Sequence, residues 1–321
     1  MKKTALTTAA AVLVGSGLFL AAPPSDAARI FESENTRVDL HGRLRLGVEG
    51  GDGSTEFKNF GSRLGFRGDH TVDESLTVFV NTEFRFDGAI RNSDGFSDVR
   101  NTFLGADFTD VGRVRVGNFD SLFFDQIGSL IDVAENDAPV RAIVGGGTRA
   151  RGNTVAFDSA DINGFRFGAS AKWQNQEDEV KEGGVVKKEA IKEAINAVAY
   201  VGFSQGPFNA ALAYDQNDSD FPGGDDSAIG VRADFDVSNE INIGALYEDQ
   251  GDQSHFGGVI TYDYGSGSLF AIVSDLDTGS SSDTNSAAGV SHSVSGPMSV
   301  FAELAEVGSE TIATVGARYN F

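Results

Sequence analysis

The chain has no cysteine, and only six prolines and one tryptophan among its 321 residues. Without thiols there is no disulfide framework, no thiol nucleophile and no cysteine-based zinc site. Basic residues are scarce as well, 25 against 47 acidic. Without Lys2, Lys3 and Asp26 of a short leader, the balance is 23 against 46, a net charge of −23. Binding to phosphate backbones rests on clustered Lys and Arg, so nucleic acid is excluded as a natural partner. Beyond the leader, no apolar run approaches the roughly 20 residues of a membrane-spanning helix.

The leader itself is readable. Lys2 and Lys3 precede the apolar run Thr8–Ala22, and Ser25-Asp26-Ala27 has the small-x-small form of a cleavage site. The pattern predicts a secretory signal peptide over residues 1–27, cut before Ala28, with 28–321 as a single domain. The run is too short to serve as a membrane anchor.

What the mature chain has in abundance is alternation. Leu40, Gly42, Leu44, Leu46 and Val48 share one face of a strand; His41, Arg43, Arg45 and Glu49 share the other. Leu64 and Phe66 oppose Arg63 and Arg67. Val78, Val80, Phe84 and Phe86 oppose Asn81, Glu83, Arg85 and Asp87, and Val114 and Val116 oppose Arg113 and Arg115. The pattern predicts sixteen strands. The first eight are 36–51, 59–72, 75–90, 98–109, 112–119, 150–160, 163–175 and 194–204. The rest are 207–216, 226–237, 240–250, 254–264, 267–276, 286–295, 298–307 and 311–321. The 40 glycines exceed the usual share of about 7% and suit many turns.

Short turn-like connections such as Val72–Ser75, Gln205–Pro207 and Ser295–Pro297 alternate with longer polar ones such as Gly51–Lys58 and Gln176–Glu193. That asymmetry, the even strand count and the lack of edge-blunting prolines predict an all-β fold: a transmembrane antiparallel β-barrel of 16 strands. A barrel leaves no unpaired sheet edge, which a bilayer demands. A soluble β-sandwich would also alternate, and a non-conducting structural or adhesive barrel would share the pattern. Within 185–197, the Lys, Glu and Ala content suggests a short helical turn before the strand from about Ala194.

One stretch breaks the rhythm. Residues 117–148 carry no period-2 pattern, and an insert of that length in a compact domain points to a functional loop. Inside a barrel it would hang Asp120, Asp125, Asp132, Glu135 and Asp137 in the lumen, opposite the arginines of the preceding strands.

Three motifs now resemble a family. Gly61-Ser62-Arg63-Leu64-Gly65-Phe66-Arg67-Gly68, the run Asn101–Phe108 with Gly112–Asn118, and the ending Gly316-Ala317-Arg318-Tyr319-Asn320-Phe321 are similar to motifs of Gram-negative general-diffusion porins. The resemblance covers the whole mature chain. It implies a homotrimer of sixteen-stranded barrels in the outer membrane, embedded in lipid and lipopolysaccharide and inserted by the barrel assembly machinery. It implies a third extracellular loop, here 117–148, folded inward as a constriction of the pore. It implies a basic pore wall, fitted by Arg43, Arg45, Arg63, Arg67 and Arg85, with Arg113 and Arg115 beyond. Asp125, Asp132 and Glu135 fit the facing acids, with Asp120 and Asp137 beside them, and Tyr319 and Phe321 fit a C-terminal assembly signal. The implied function is passive diffusion of small hydrophilic solutes and ions.

Other motifs carry less. Arg67-Gly68-Asp69 ends a strand and matches an adhesion tripeptide by chance. From Asp215 the spacing imitates a calcium loop, but Asp220 stands where its turn needs glycine. His41, His70, His255 and His292 lie on separate strands with no local nucleophile motif, so no catalytic residue, metal site or cofactor is expected. Acidic loops against an arginine wall predict a weak cation preference that grows as salt falls.

Overall fold

The computed structural model describes residues 27–51, 53–91, 95–136, 152–174, 178–182, 185–189, 194–216 and 226–321. The leader, all but Ala27, and residues 137–148 of the long insert lie outside this set. Among the described residues no helix is long and apolar enough to cross a membrane.

Strands build the molecule. In chain order they are β1 Thr36–Gly51, β2 Arg63–Asp73, β3 Leu76–Phe86, β4 Phe96–Phe108, β5 Gly112–Asn118, β6 Thr154–Ser159, β7 Phe165–Gln174 and β8 Ala194–Gln205. Then come β9 Phe208–Gln216, β10 Ala228–Asp236, β11 Ile241–Gln250, β12 Gln253–Asp263, β13 Gly267–Asp277, β14 Ser282–Ser295, β15 Met298–Val307 and β16 Glu310–Asn320. Each pairs antiparallel with the next. β16 returns to β1, with Leu44 opposite Tyr319 and Gly50 opposite Ala313, so the sixteen strands close into a ring. Most reach the roughly 9–11 residues that a tilted strand needs to span a bilayer. β5 and β6, at seven and six residues, fall short, and these are the two strands that the long insert joins.

Alternation decides the faces. Leu44, Val48, Val80, Leu104, Val116, Ile229 and Val315 point out and are exposed, while their strand neighbours Arg45, Asp234 and Thr314 point the other way and are buried. Apolar and exposed outside, polar and crowded inside, is the pattern of a barrel in lipid. One phase change occurs on β4. Asn101 takes a positive φ and the register slips opposite Asn81–Glu83, so Val99 and Leu104 share the outer face although an even number of residues separates them.

Three local expectations are corrected. The strand expected at 59–72 is two pieces, Ser54–Asn59 and β2, both paired with β1 and interrupted at Phe60–Ser62. The polar loop expected at 51–58 is therefore a tight hairpin turn. Ala28–Glu32, ahead of the first expected strand, also pairs with β1, just below the end of β16, where Phe321 exchanges backbone hydrogen bonds with Gly42. Val185–Glu189 is no helical turn but a strand paired with Asp178–Glu182 in a separate hairpin.

Candidate functional site

The insert leaves β5 and folds at once. Ser121 caps a short helix, α1 Leu122–Gln126, its hydroxyl accepting the Phe124 N–H at 3.0 Å. A 3-10 turn, Gly128–Ile131, follows. Leu122, Phe123, Ile127 and Ile131 are all at most 1% exposed. They lie on the barrel's inner face, where the wall carries Gly230 on β10, Gly244 on β11 and Gly257 on β12. A Cβ at Gly230 would sit 2.6 Å from the Phe123 ring, and one at Gly244 2.7 Å from Leu130. Glycine at these points lets the helix sink against the sheet. Burying each large apolar side chain contributes about 1.5–3 kcal/mol, which holds a short helix that would not persist alone.

Further on, the segment reaches the wall at β15, β16 and β1. The Glu135 carboxylate is gripped from two sides, by Arg45 through one oxygen and Arg318 through the other. Its own N–H and that of Asn136 donate to Glu303 on β15 at 2.6 and 2.9 Å. The Asn136 amide donates to Glu49 at 2.6 Å and Thr314 at 3.1 Å, and Lys58 pairs with Glu49. A buried pair of this kind costs about 3–5 kcal/mol when one partner alone is removed.

Other arginines hold the near half. Arg100 pairs with Asp120 at 3.1 Å and reaches Glu83 at 3.7 Å; Arg63 reaches Glu83 at 3.4 Å. Arg115 lies 3.1 Å from Asp158 on β6 and 3.9 Å from Asp125 of α1, with its guanidinium 4.6 Å from the centre of the Phe119 ring. Tyr200 donates to Asp158 at 3.0 Å. Arg67 and Arg113 are held by wall acids, Asp69 at 3.0 Å and Asp107 at 2.7 Å. Arg43 donates to the Gly61 carbonyl at 3.3 Å, and Arg85 stands opposite Arg63 in register. Asp132 ends the 3-10 turn, exposed but within electrostatic reach of Arg100. Asp137 lies outside the described residues.

Four participants escape a sequence reading. Glu83 carries the alternation of β3 but sits among arginines that only pairing reveals. The phase of Arg100 depends on the bulge at Asn101. Arg318 and Glu303 are brought to Glu135 by ring closure, across more than half the chain.

One cluster has the outline of a catalytic triad. His255 on β12 lies 3.1 Å from Glu248 on β11 through Nδ1 and 2.8 Å from Ser274 on β13 through Nε2. All three are at most 1% exposed, so they tie strands together rather than meet a substrate. Asp215, which opens the calcium-like spacing, is buried and accepts a hydrogen bond from Asn196. Among the described residues no group of three acids or histidines is arranged to hold a metal.

Residues 5–311 match the Gram-negative porin family. The chain belongs to that family. It is a porin of the Gram-negative outer membrane, a diffusion channel and not an enzyme. It is 24% identical over 311 residues to a monosaccharide porin of a Halomonas species, covering 87% of this chain and 81% of that one. It is also 30% identical over 129 residues to the porin OmpD of Salmonella typhimurium, covering 38% of this chain and 34% of that one. Among solved structures, OmpF of Salmonella typhi superposes with a TM-score of 0.72 at 18% identity, over 91% of this chain and 100% of that one. An anion-selective porin from Comamonas acidovorans gives 0.69 at 16%, over 89% and 100%. These two show the fold: an all-β antiparallel barrel of sixteen strands.

Proposed function

We propose that the 117–148 segment narrows the lumen and sets the size limit for small hydrophilic solutes, sugars among them. The observation that carries this is the grip on Glu135. The described part of this segment starts at β5, packs on β10–β12 and brings Glu135 between Arg45 and Arg318, a course along the inner face around much of the ring. In this reading Arg43, Arg45, Arg63, Arg67, Arg85, Arg113 and Arg115 form the basic wall. Asp120, Asp125, Asp132, Glu135 and Asp137 are the acids that face it. Opposed rows of charge set a transverse field that orients dipolar solutes and disfavours large apolar ones. A relative's description as a monosaccharide porin supports sugars as solutes. Liposome swelling with sugars of increasing size tests this: rates should fall steeply beyond small oligosaccharides, and a flat size dependence would contradict it.

We further infer a homotrimer, docked through the outer face of β1–β5. A depression of about 630 Å³ lies there, lined by Val78, Val80, Leu104, Val114 and Val116 over Gly68 and Ala106. Tyrosine and tryptophan mark the membrane–water boundary. The exposed ones, Trp173, Tyr214, Tyr247, Tyr262 and Tyr319, stand on β7, β9, β11, β12 and β16, and the chain has neither residue type before Trp173. A wall without boundary aromatics suits contact with protein better than with lipid headgroups. Residues 1–27 are the export signal in this reading, 28–321 the single barrel domain, and Tyr319 with Phe321 the mark for the assembly machinery. Lipid and lipopolysaccharide surround the remaining wall.

A further inference from the structure

One strand lies outside the ring. Ala28–Glu32 pairs with β1 by one edge, and among the described residues that is its whole strand pairing, so its other edge is open. The sixteen strands close without it, through β16 and β1. It is nevertheless fixed in place. Arg29 lies 2.6 Å from Glu32 and 3.7 Å from Asp39, a β1 carboxylate that is 1% exposed. A bulge at Ile30 bends the strand and sets its register, so that Phe31 stands opposite Val38. Open strand edges invite pairing with another chain, and folded proteins cover them.

Phe31 ends a row that runs across the outer face. Val38 is opposite Phe31, Gly68 opposite Val38, Val80 opposite Gly68, Leu104 opposite Val80 and Val116 opposite Leu104. The last five line the depression of about 630 Å³ on β1–β5. Gly68 opens it, because it leaves the row without a side chain between Val38 and Val80. Phe31 does not fill the hollow of its own subunit. Two strand spacings, about 10 Å, separate it from Gly68, and it is 53% exposed.

A knob and a hollow therefore sit side by side on one face. A threefold contact is heterologous: each subunit offers one patch to the next and receives a different one. Lipid tails are as apolar as this wall, so burial alone does not drive association there, and close packing must. A rigid ring in a hollow of fixed shape supplies it. We propose, on the reading of β1–β5 as the subunit contact, that Phe31 of each subunit packs into the depression of the next. Docking brings the open edge of Ala28–Glu32 against the neighbouring subunit.

The chain has no cysteine, so engineered pairs report the contact. Phe31→Cys is combined with Val80→Cys and, separately, with Leu104→Cys. The purified variants are oxidised in detergent and run heated, without reductant. Within one subunit the pairs lie three and four strand spacings apart, about 14 and 19 Å. A disulfide tolerates no more than about 7 Å between Cα atoms. At least one double variant should give a covalent trimer, whereas single variants, with one thiol each, give dimers at most. Phe31→Ala should lower the temperature at which the trimer comes apart in SDS, and Phe167→Ala, on β7 and 48% exposed, should not. Heat-dependent migration of each variant checks that its barrel folds. A trimer that yields no covalent trimer from either pair, or that keeps its dissociation temperature in Phe31→Ala, overturns the docking and leaves the trimer standing. Unaltered protein that sediments as a monomer in detergent overturns the trimer, and the docking with it.

Discussion

The Glu303 carboxylate accepts the backbone N–H of Glu135 at 2.6 Å, across 168 residues of sequence. An acid therefore fixes the main chain of a residue whose own acid is held by two arginines. Hydrogen bonds to a charged group contribute about 1.5–3 kcal/mol each. Glu303→Ala removes the acceptors for both Glu135 and Asn136 and should loosen the insert without opening the ring. The expected readout is a channel that flickers between conductance levels, with unchanged resistance of the barrel to SDS. A quiet trace like that of the unaltered protein would show that the arginines alone suffice.

The apolar anchor should matter as much. Phe123→Ala leaves a void against Gly230, and truncations of this kind cost about 3–5 kcal/mol. Because the loss falls on a short segment rather than on the strands, it should undock α1 before it harms the barrel. Limited proteolysis should then cut within 117–136, and swelling assays should admit larger sugars. Protection and size limit both unchanged would mean that α1 is held by its polar contacts.

Orientation of the faces is testable because the chain has no cysteine of its own. In protein reconstituted in liposomes, Arg63→Cys should react with a membrane-impermeant thiol reagent, and Leu64→Cys should not. The reverse labelling would turn the barrel inside out.

Much of the architecture is legible in the sequence, for a plain reason. A strand's period is two, and lipid outside with water inside writes that period as alternating Leu44/Arg45 and Leu64/Arg63. Ring size follows from counting such runs. Contacts made by closure are not legible: Arg318 and Glu303 meet Glu135 only because β16 returns to β1. Local errors have local causes. Lys and Glu suggest helix over 185–197, whereas Val180, Val185 and Val186 around Gly183-Gly184 are a hairpin signal. Ser121 before Leu122-Phe123-Phe124 is a helix start, but a helix of five residues is too short to write a 3.6-residue period.

In the proposed pore both charges meet where the insert narrows the lumen. Arg45 and Arg318 share Glu135, and Arg63 and Arg100 share Glu83, so the arginine wall is largely neutralised within itself. The acidic excess of the chain should then tip the balance toward cations, more so as the Debye length grows beyond about 8 Å at falling salt. The direct measurement is current through purified protein in a planar bilayer, with the reversal potential read across a salt gradient. The account predicts discrete, steady conductance steps and a weak cation preference that rises as salt falls. A silent membrane, or a channel that prefers anions at low salt, would contradict it.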